Sequence, residues 1–249
     1  MFSYFAAAET ITITGVSGFV GSQMLNYCIT NYSDKFKIRG TVRDKDNEIK
    51  MGPLLEYFSP EQLKKVTFVS VDICDAEAVD KAIEGSTYVI HTASPVAVAD
   101  PLDEEQLVTP AVQGTLNILQ SCSKHKVKRV VLTSSCQAVS GQEEAEELDE
   151  YNEESWSNVE GQVRGFDAYA KGKTLAEKAA WDYLKTIPED QHKPELVTIL
   201  PGFAVGSYIA GGIASSPALI KALMVNSLAG IPRLSFACVD IQDVVEAHF

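Results

Sequence analysis

Two hydrophobic periods alternate along the chain. Short runs rich in β-branched and aliphatic residues recur at 10–14 (TITIT), 36–42 (FKIRGTV), 66–71 (VTFVSV), 87–92 (TYVIHT), 127–134 (VKRVVLTS) and 195–200 (ELVTIL). Their near-continuous apolar character predicts strands buried on both faces. Between them, helical spacing of apolar residues predicts helices at 19–31, 75–84, 103–124, 167–186 and 216–229. The stretch 49–64 is ambiguous, because Pro53 and Pro60 interrupt it. Alternation of this kind implies βαβ units, and therefore an α/β fold with a doubly wound parallel sheet.

The first predicted strand runs directly into Gly15-Val16-Ser17-Gly18-Phe19-Val20-Gly21, and a predicted helix follows. Gly15 lets the chain turn off the strand, Gly18 lets backbone approach a phosphate without a Cβ in the way, and Gly21 allows close helix–strand packing. A pyrophosphate would then sit on the free amides and positive end of helix 19–31. The context of strand, loop and helix near the N-terminus makes this a dinucleotide-binding signal rather than an ordinary turn.

The end of the second strand selects the nucleotide. It reads Thr41-Val42-Arg43-Asp44. Arg43 stands where a ribose 2′-phosphate would lie, and a guanidinium suits that dianion, so NADPH/NADP is expected. Asp44 next door would favour NAD if it pointed inward instead. Lys50 is a candidate second positive contact.

Farther along, Tyr169 and Lys173 form a YxxxK pair within a predicted helix, with Asp167 as a candidate N-cap. At i and i+4 the two side chains share a helix face. An ammonium beside a phenol favours the phenolate, which makes tyrosine a usable acid–base group near neutral pH. The plainer alternative is a surface pair in which Lys173 bridges Glu177. Thr133-Ser134-Ser135-Cys136 sits at the C-terminal end of a predicted strand, where ligands of open α/β sheets bind, so a hydroxyl there can meet substrate. By itself the position reads first as a serine capping a turn.

Composition narrows the class of partner. The 249 residues carry 34 acidic and 21 basic side chains, a formal charge of −13, which disfavours nucleic acid. A basic cluster, KHKVKR at 124–129, reads as a solvated helix end, and the acidic stretch 143–154 reads as an exposed, mobile loop or short helix. No apolar run is long enough to cross a membrane, and MFSYFAAAET lacks the basic start of a secretory leader. The five cysteines show no CxxC pair, so reduced, mostly buried thiols and a cytoplasmic location are expected, with no metal site.

Taken together, these residues are similar to the extended branch of the short-chain dehydrogenase/reductases, in particular the dihydroflavonol reductase, cinnamoyl-CoA reductase and yeast methylglyoxal reductase group. The matching stretches are TGVSGFVGS (14–22), RGTVRD (39–44), HTASP (91–95), PAVQGTLNIL (110–119), RVVLTSS (129–135), YNEESW (151–156), YAKGKTLAEKAAW (169–181), ILPGFAVG (199–206) and VDIQDVVEAH (239–248). They run in family order along nearly the whole chain, and the resemblance implies a Rossmann fold. It also implies that Tyr169 protonates a substrate carbonyl, that Lys173 lowers its pKa and binds ribose, and that Ser135 holds the carbonyl oxygen. Asp72 and Ile73 would flank the adenine, Thr92, Ala93 and Ser94 would lie along the cofactor, and Pro201, Gly202 and Val205 beside the nicotinamide. The implied reaction is hydride transfer from NADPH to a ketone or aldehyde, by a monomer or weak homo-oligomer.

The sequence departs from the family in two places. Gly172 stands where serine is usual, and the family continues beyond VDIQDVVEAH whereas this chain stops at Phe249. Residues 1–200 are accordingly expected to form the nucleotide-binding domain, including helix 167–186. Residues 201–249 would form a partial substrate lobe, with 236–249 returning to the first domain. The short lobe keeps open a catalytically reduced, NADP-binding structural or regulatory protein. An NAD-linked epimerase or hydroxysteroid dehydrogenase is a further alternative.

Overall fold

The computed structural model describes residues 9–95, 104–141, 150–160, 168–210, 216–227, 230 and 237–249. In chain order the elements are β1 (Thr10–Thr14), α1 (Phe19–Tyr32), β2 (Lys37–Val42), α2 (Glu48–Tyr57), α3 (Pro60–Leu63), β3 (Val66–Ser70), α4 (Ala76–Ile83), β4 (Tyr88–His91), α5 (Glu105–Lys124), β5 (Arg129–Thr133), α6 (Gln137–Ser140), α7 (Ala168–Thr186), β6 (Glu195–Ile199), β7 (Phe203–Val205), α8 (Ser216–Met224), β8 (Cys238–Asp240) and α9 (Ile241–His248).

The first six strands form one parallel sheet in the order β3-β2-β1-β4-β5-β6, with Ile13 level with Gly40 on one side and Ile90 on the other. Successive residues face opposite sides. Ile90 joins the core built with α1, α2 and α9, while its neighbour Val89 joins the core built with α4, α5 and α7. The sheet is therefore doubly wound, as the alternating pattern implies. The strand order reverses between β1 and β4, and at such a reversal the connections leave for opposite faces and open a crevice above the strand ends.

Burial on both faces holds for the central strands and needs correcting at the edges. β3 and β6 are only partly buried, and Val197 of β6 is 38% exposed, because an edge strand has a neighbour on one side only. The ambiguous stretch 49–64 resolves into two helices. The Asn47 side chain caps α2, and Ser59 and Gln62 form a reciprocal capping box that restarts the chain at Pro60. Helix α8 stops at Met224, short of the expected 229. Asn226 adopts a left-handed φ of 52°, a conformation that asparagine tolerates and that cannot continue a helix. The strands β7 and β8 pair in parallel as a separate two-stranded sheet. At three residues each they are too short to show a period.

The cysteines also differ from expectation. All five are free, but Cys28 and Cys122 alone are buried, and Cys74 and Cys238 are exposed on the segments that follow β3 and open β8. In the basic cluster, Lys124 and His125 both meet Asp80, Lys128 meets Glu9, and Arg129 meets Glu195. The acidic stretch falls largely outside the described residues, as does Asp167. Glu150, Glu153 and Glu154, at its end, are exposed. No helix among the described residues is long and apolar enough to cross a membrane.

Candidate active site

The loop after β1 is shaped by backbone crowding. Gly15 has φ +73°, and a Cβ there would lie 2.9 Å from the Ala93 Cα. A Cβ on Gly21 would fall 2.2 Å from the Gly15 carbonyl oxygen and 2.8 Å from the Thr92 hydroxyl. The loop is therefore clamped between the first turn of α1 and the end of β4. The Gly15 and Val16 amides both donate to the Thr41 carbonyl at the end of β2. Gly18 is the N-cap of α1, with no side-chain cap and no acidic residue in the first turn. The amides at Phe19 and Val20 thus open α1 with no carboxylate in its first turn to compete for them, an arrangement suited to an anion. Ser17 lies in the turn between.

Beyond β2, Arg43 and Asp44 are both exposed, but the Asp44 carboxylate accepts the Asp46 amide at 3.0 Å and is engaged in its own turn. Lys50 is exposed on the first turn of α2, and its amide is the one capped by Asn47. After β3, Asp72 accepts the Cys74 amide, and the Ile73 carbonyl accepts the Asn117 amide of α5. Ile73 packs so closely on Gly114 that a Cβ there would lie 2.5 Å from its Cδ1.

At the end of β4, Thr14 acts as a buried junction. Its Oγ accepts the Thr92 and Ala93 amides, each at 3.1 Å, so its own proton points to His91 Nδ1 at 2.8 Å. His91 therefore carries its ring proton on Nε2. Burial, reinforced by the charge of Lys173, pushes its pKa down to about 3 and keeps it neutral.

Helix α7 brings the Tyr-Lys pair against the end of β5. Lys173 is 8% exposed, and its Nζ donates to the Thr133 carbonyl at 2.9 Å. The same Nζ lies 5.9 Å from the centre of the half-buried Tyr169 ring. Burial lowers the lysine pKa to about 8, against an opposing pull from Glu177. The surface-pair alternative therefore fails, because both Lys173 and Glu177 are buried and the ammonium bonds to the sheet. Gly172 faces α5, and a Cβ there would make ordinary contact at 3.6 Å with Ala111 Cβ and Val108 Cα, so α7 has room for a small side chain at this position.

Ser135 is buried, and its Oγ accepts the Gln137 amide at 3.2 Å, so it does cap the turn into α6. Capping uses a lone pair and keeps the O–H as a donor. The Cys136 amide donates to the Pro201 carbonyl, which ties this turn to the chain leaving β6. Gly202 faces Ala237, whose carbonyl a Cβ would meet at 2.1 Å. Ala93, Ser94, Thr133, Ser134 and Lys173 line a single crevice. Val205 lies in a different place, a mostly apolar groove of ≈ 320 Å³ under α8.

Two supporting residues had no usable signal in the sequence reading. Besides His91, His248 of α9 donates through Nδ1 to the Val244 carbonyl and receives the Thr133 hydroxyl on Nε2, both at 2.7 Å. The C-terminal helix thus grips the residue whose carbonyl holds Lys173. A lone histidine far along the chain offers no periodicity or spacing that would reveal this.

A reversed strand order, a glycine loop at the β1–α1 turn and a Tyr-Lys pair on α7 whose lysine enters the crevice define a dinucleotide-binding α/β protein of the Rossmann class. Residues 12–183 match the 3-beta hydroxysteroid dehydrogenase/isomerase family, and the chain belongs to that family of extended short-chain dehydrogenase/reductases. It is 34% identical over 219 residues to tetraketide alpha-pyrone reductase 1 of Arabidopsis thaliana, covering 88% of this chain and 64% of that protein. It is 32% identical over 221 residues to the bifunctional dihydroflavonol 4-reductase/flavanone 4-reductase of Malus domestica, covering 87% and 59%. This chain therefore spans less than two thirds of the length of these two relatives. Among solved structures it resembles yeast methylglyoxal/isovaleraldehyde reductase complexed with NADPH, at a TM-score of 0.76 and 30% identity, covering 96% of this chain and 72% of that one. The resemblance read from the sequence motifs holds, and these relatives are reductases by name.

Proposed function

We propose that the protein is an NADPH-dependent reductase that converts a ketone or aldehyde carbonyl to an alcohol. The observation that carries this reading is the buried Lys173 ammonium, bonded to the sheet edge and facing the Tyr169 ring, on a fold whose relatives are reductases. The residues at the crevice fit the cofactor. The glycines let the loop pack tightly on α1 and the end of β4, and the first turn of α1 carries no acidic residue to compete for its amides. Gly15, Ser17, Gly18, Phe19, Val20 and Gly21 would hold the pyrophosphate. Arg43, helped by Lys50, would take the 2′-phosphate, and the engagement of Asp44 in its own turn supports NADP over NAD. Asp72 and Ile73 would flank the adenine. Thr92, Ala93, Ser94, Pro201 and Gly202 would border the nicotinamide half, with Val205 beyond them in the groove under α8.

When bound, NADPH supplies the hydride that adds to the carbonyl carbon. Tyr169 delivers its phenolic proton to the carbonyl oxygen, and the remaining phenolate is stabilised by the neighbouring ammonium. Lys173 would also hydrogen-bond the nicotinamide ribose when the nucleotide is bound. Ser135 donates its hydroxyl proton to the carbonyl oxygen, which polarises it and stabilises the developing negative charge. The groove beside Val205, walled by Pro217, Ile220, Met224 and Val225, fits an apolar substrate body, with residues 201–249 as part of a substrate lobe.

The test is oxidation of NADPH in the presence of α-dicarbonyls, aryl aldehydes and flavanonols. At least one is expected to be reduced, and Tyr169→Phe is expected to lower kcat by ~10²–10⁴-fold without weakening NADPH binding. Tight NADPH binding with no reduction of any carbonyl would overturn the reading in favour of a non-catalytic nucleotide-binding protein.

A further inference from the structure

Below Lys173 the structure holds a polar arrangement that the reaction above does not use. Glu177, one helical turn farther along α7, is 4% exposed. Its Oε1 accepts the Trp181 indole N–H at 3.3 Å, and its Oε2 has no hydrogen-bond partner among the described residues. Ser134, 5% exposed at the end of β5, has a hydroxyl that is also without a partner among the described residues. Both residues line the crevice that Lys173 enters, whose cavity of ≈ 10 Å³ matches the space needed by about one water molecule. A buried carboxylate oxygen and a buried hydroxyl left unsatisfied would each be destabilising, and one water between them would satisfy both.

We propose that Glu177 is the positioning residue that keeps Lys173 an ammonium, and that a single internal water joins its Oε2 to the Ser134 hydroxyl. The proposal rests on the reading of Lys173 as the partner of Tyr169. A lysine buried this deeply loses its proton easily, because its charge has little solvent around it. The Thr133 carbonyl is a dipole and supplies only part of the lost solvation. Glu177 supplies a full opposite charge one turn away, inside a low-dielectric site where it acts strongly. Its effect on Lys173 opposes that of burial. The other titratable groups around the pair do not substitute for it. His91 of β4 is neutral, and His248 of α9 reaches the site only through Thr133. Tyr169 precedes Lys173 on α7, and α5 contributes the uncharged Thr115. The water fixes the carboxylate against the sheet, so Glu177 acts through Lys173 and touches no substrate.

The test uses protein labelled with ¹⁵N-lysine and ¹³C-glutamate. The Lys173 Nζ signal, assigned by its loss in Lys173→Met, is titrated in wild type, Glu177→Gln and Glu177→Asp. The glutamine retains the Trp181 bond and the shape but not the charge. Its expected effect is a loss of about tenfold or more in the proton affinity of Nζ, with Glu177→Asp restoring most of it. The alkaline limb of kcat/KM for carbonyl reduction is expected to move to lower pH by the same factor, with kcat/KM at pH 6 nearly unchanged. A merely structural role would lower kcat/KM at every pH and leave Nζ alone. An Nζ titration unmoved by Glu177→Gln overturns the proposal. So does a wild-type Glu177 carboxyl carbon that reports the protonated acid at pH 7, a measurement that needs no variant to fold. If the wild type reduces no carbonyl, the reductase reading fails while the Nζ titration still decides the role of Glu177.

Discussion

The two halves of the crevice are built by opposite means. On the β1–α1 side the site is made by leaving side chains out: Gly15 turns with a positive φ, and Gly21 packs where a Cβ would collide with backbone at 2.2 Å. Nothing in that loop titrates. On the β4–β5–α7 side the site is made by placing polar side chains where water barely reaches. His91, Lys173 and Glu177 are all buried, and each needs a neighbour to tolerate it: Thr14 for the histidine, Thr133 and Glu177 for the lysine. The first half fails when anything is added and the second when a partner is removed or a proton moves. One half should therefore be sensitive to sterics and indifferent to pH, and the other the reverse.

The sharpest test of that difference is acid. The folded His91 does not take a proton until about pH 3, whereas the unfolded chain takes one in the ordinary histidine range near 6.5. The unfolded state therefore binds more protons in this window, so stability rises with pH across it and is lost as pH falls. The loss accumulates with each pH step between roughly 6.5 and 3. Urea midpoints of wild type and His91→Gln at pH 7, 6, 5 and 4 measure it. The variant should lose this part of the slope, and parallel slopes would contradict the assignment.

Gly21→Ala attacks the other half. Relief of the clash with Gly15 and Thr92 requires backbone movement, at about 1–3 kcal/mol, and NADPH affinity should fall with it. Gly52→Ala is the control: none of the described residues lies within 4 Å of the added Cβ, and NADPH affinity should be unchanged. Thermal unfolding and NADPH titration at two pH values would show whether the Gly21 effect is free of pH, as the comparison requires. The smallest effect expected is that of Thr133→Val. It removes the hydroxyl from His248 but keeps the carbonyl that holds Lys173. A loss of about 1 kcal/mol in stability, with kcat changed only a few-fold, would confirm that α9 supports the site from behind.

The glycine half was legible in the sequence because its signal is local. Three glycines at fixed spacing between a strand period and a helix period can be recognised without knowing what packs on them, and the YxxxK spacing carries its shared helix face in the same way. The buried polar half was not. Glu177 reads in sequence as the solvent partner of Lys173, yet α7 lies with both residues against the sheet. His91 reads as a strand residue, and nothing near it in the chain announces Thr14, which lies 77 residues earlier.

The alternation of periods by itself determined a parallel, doubly wound sheet, because a chain that switches between strand and helix has few other ways to bury both patterns. The β1–α1 loop followed from glycine alone, since backbone freedom belongs to the residue. Which polar groups would lose their water, and which neighbours would compensate them, was decided only when β4, β5, α7 and α9 came together. Ionisation depends on distance and surrounding dielectric, and neither is a property of position along the chain.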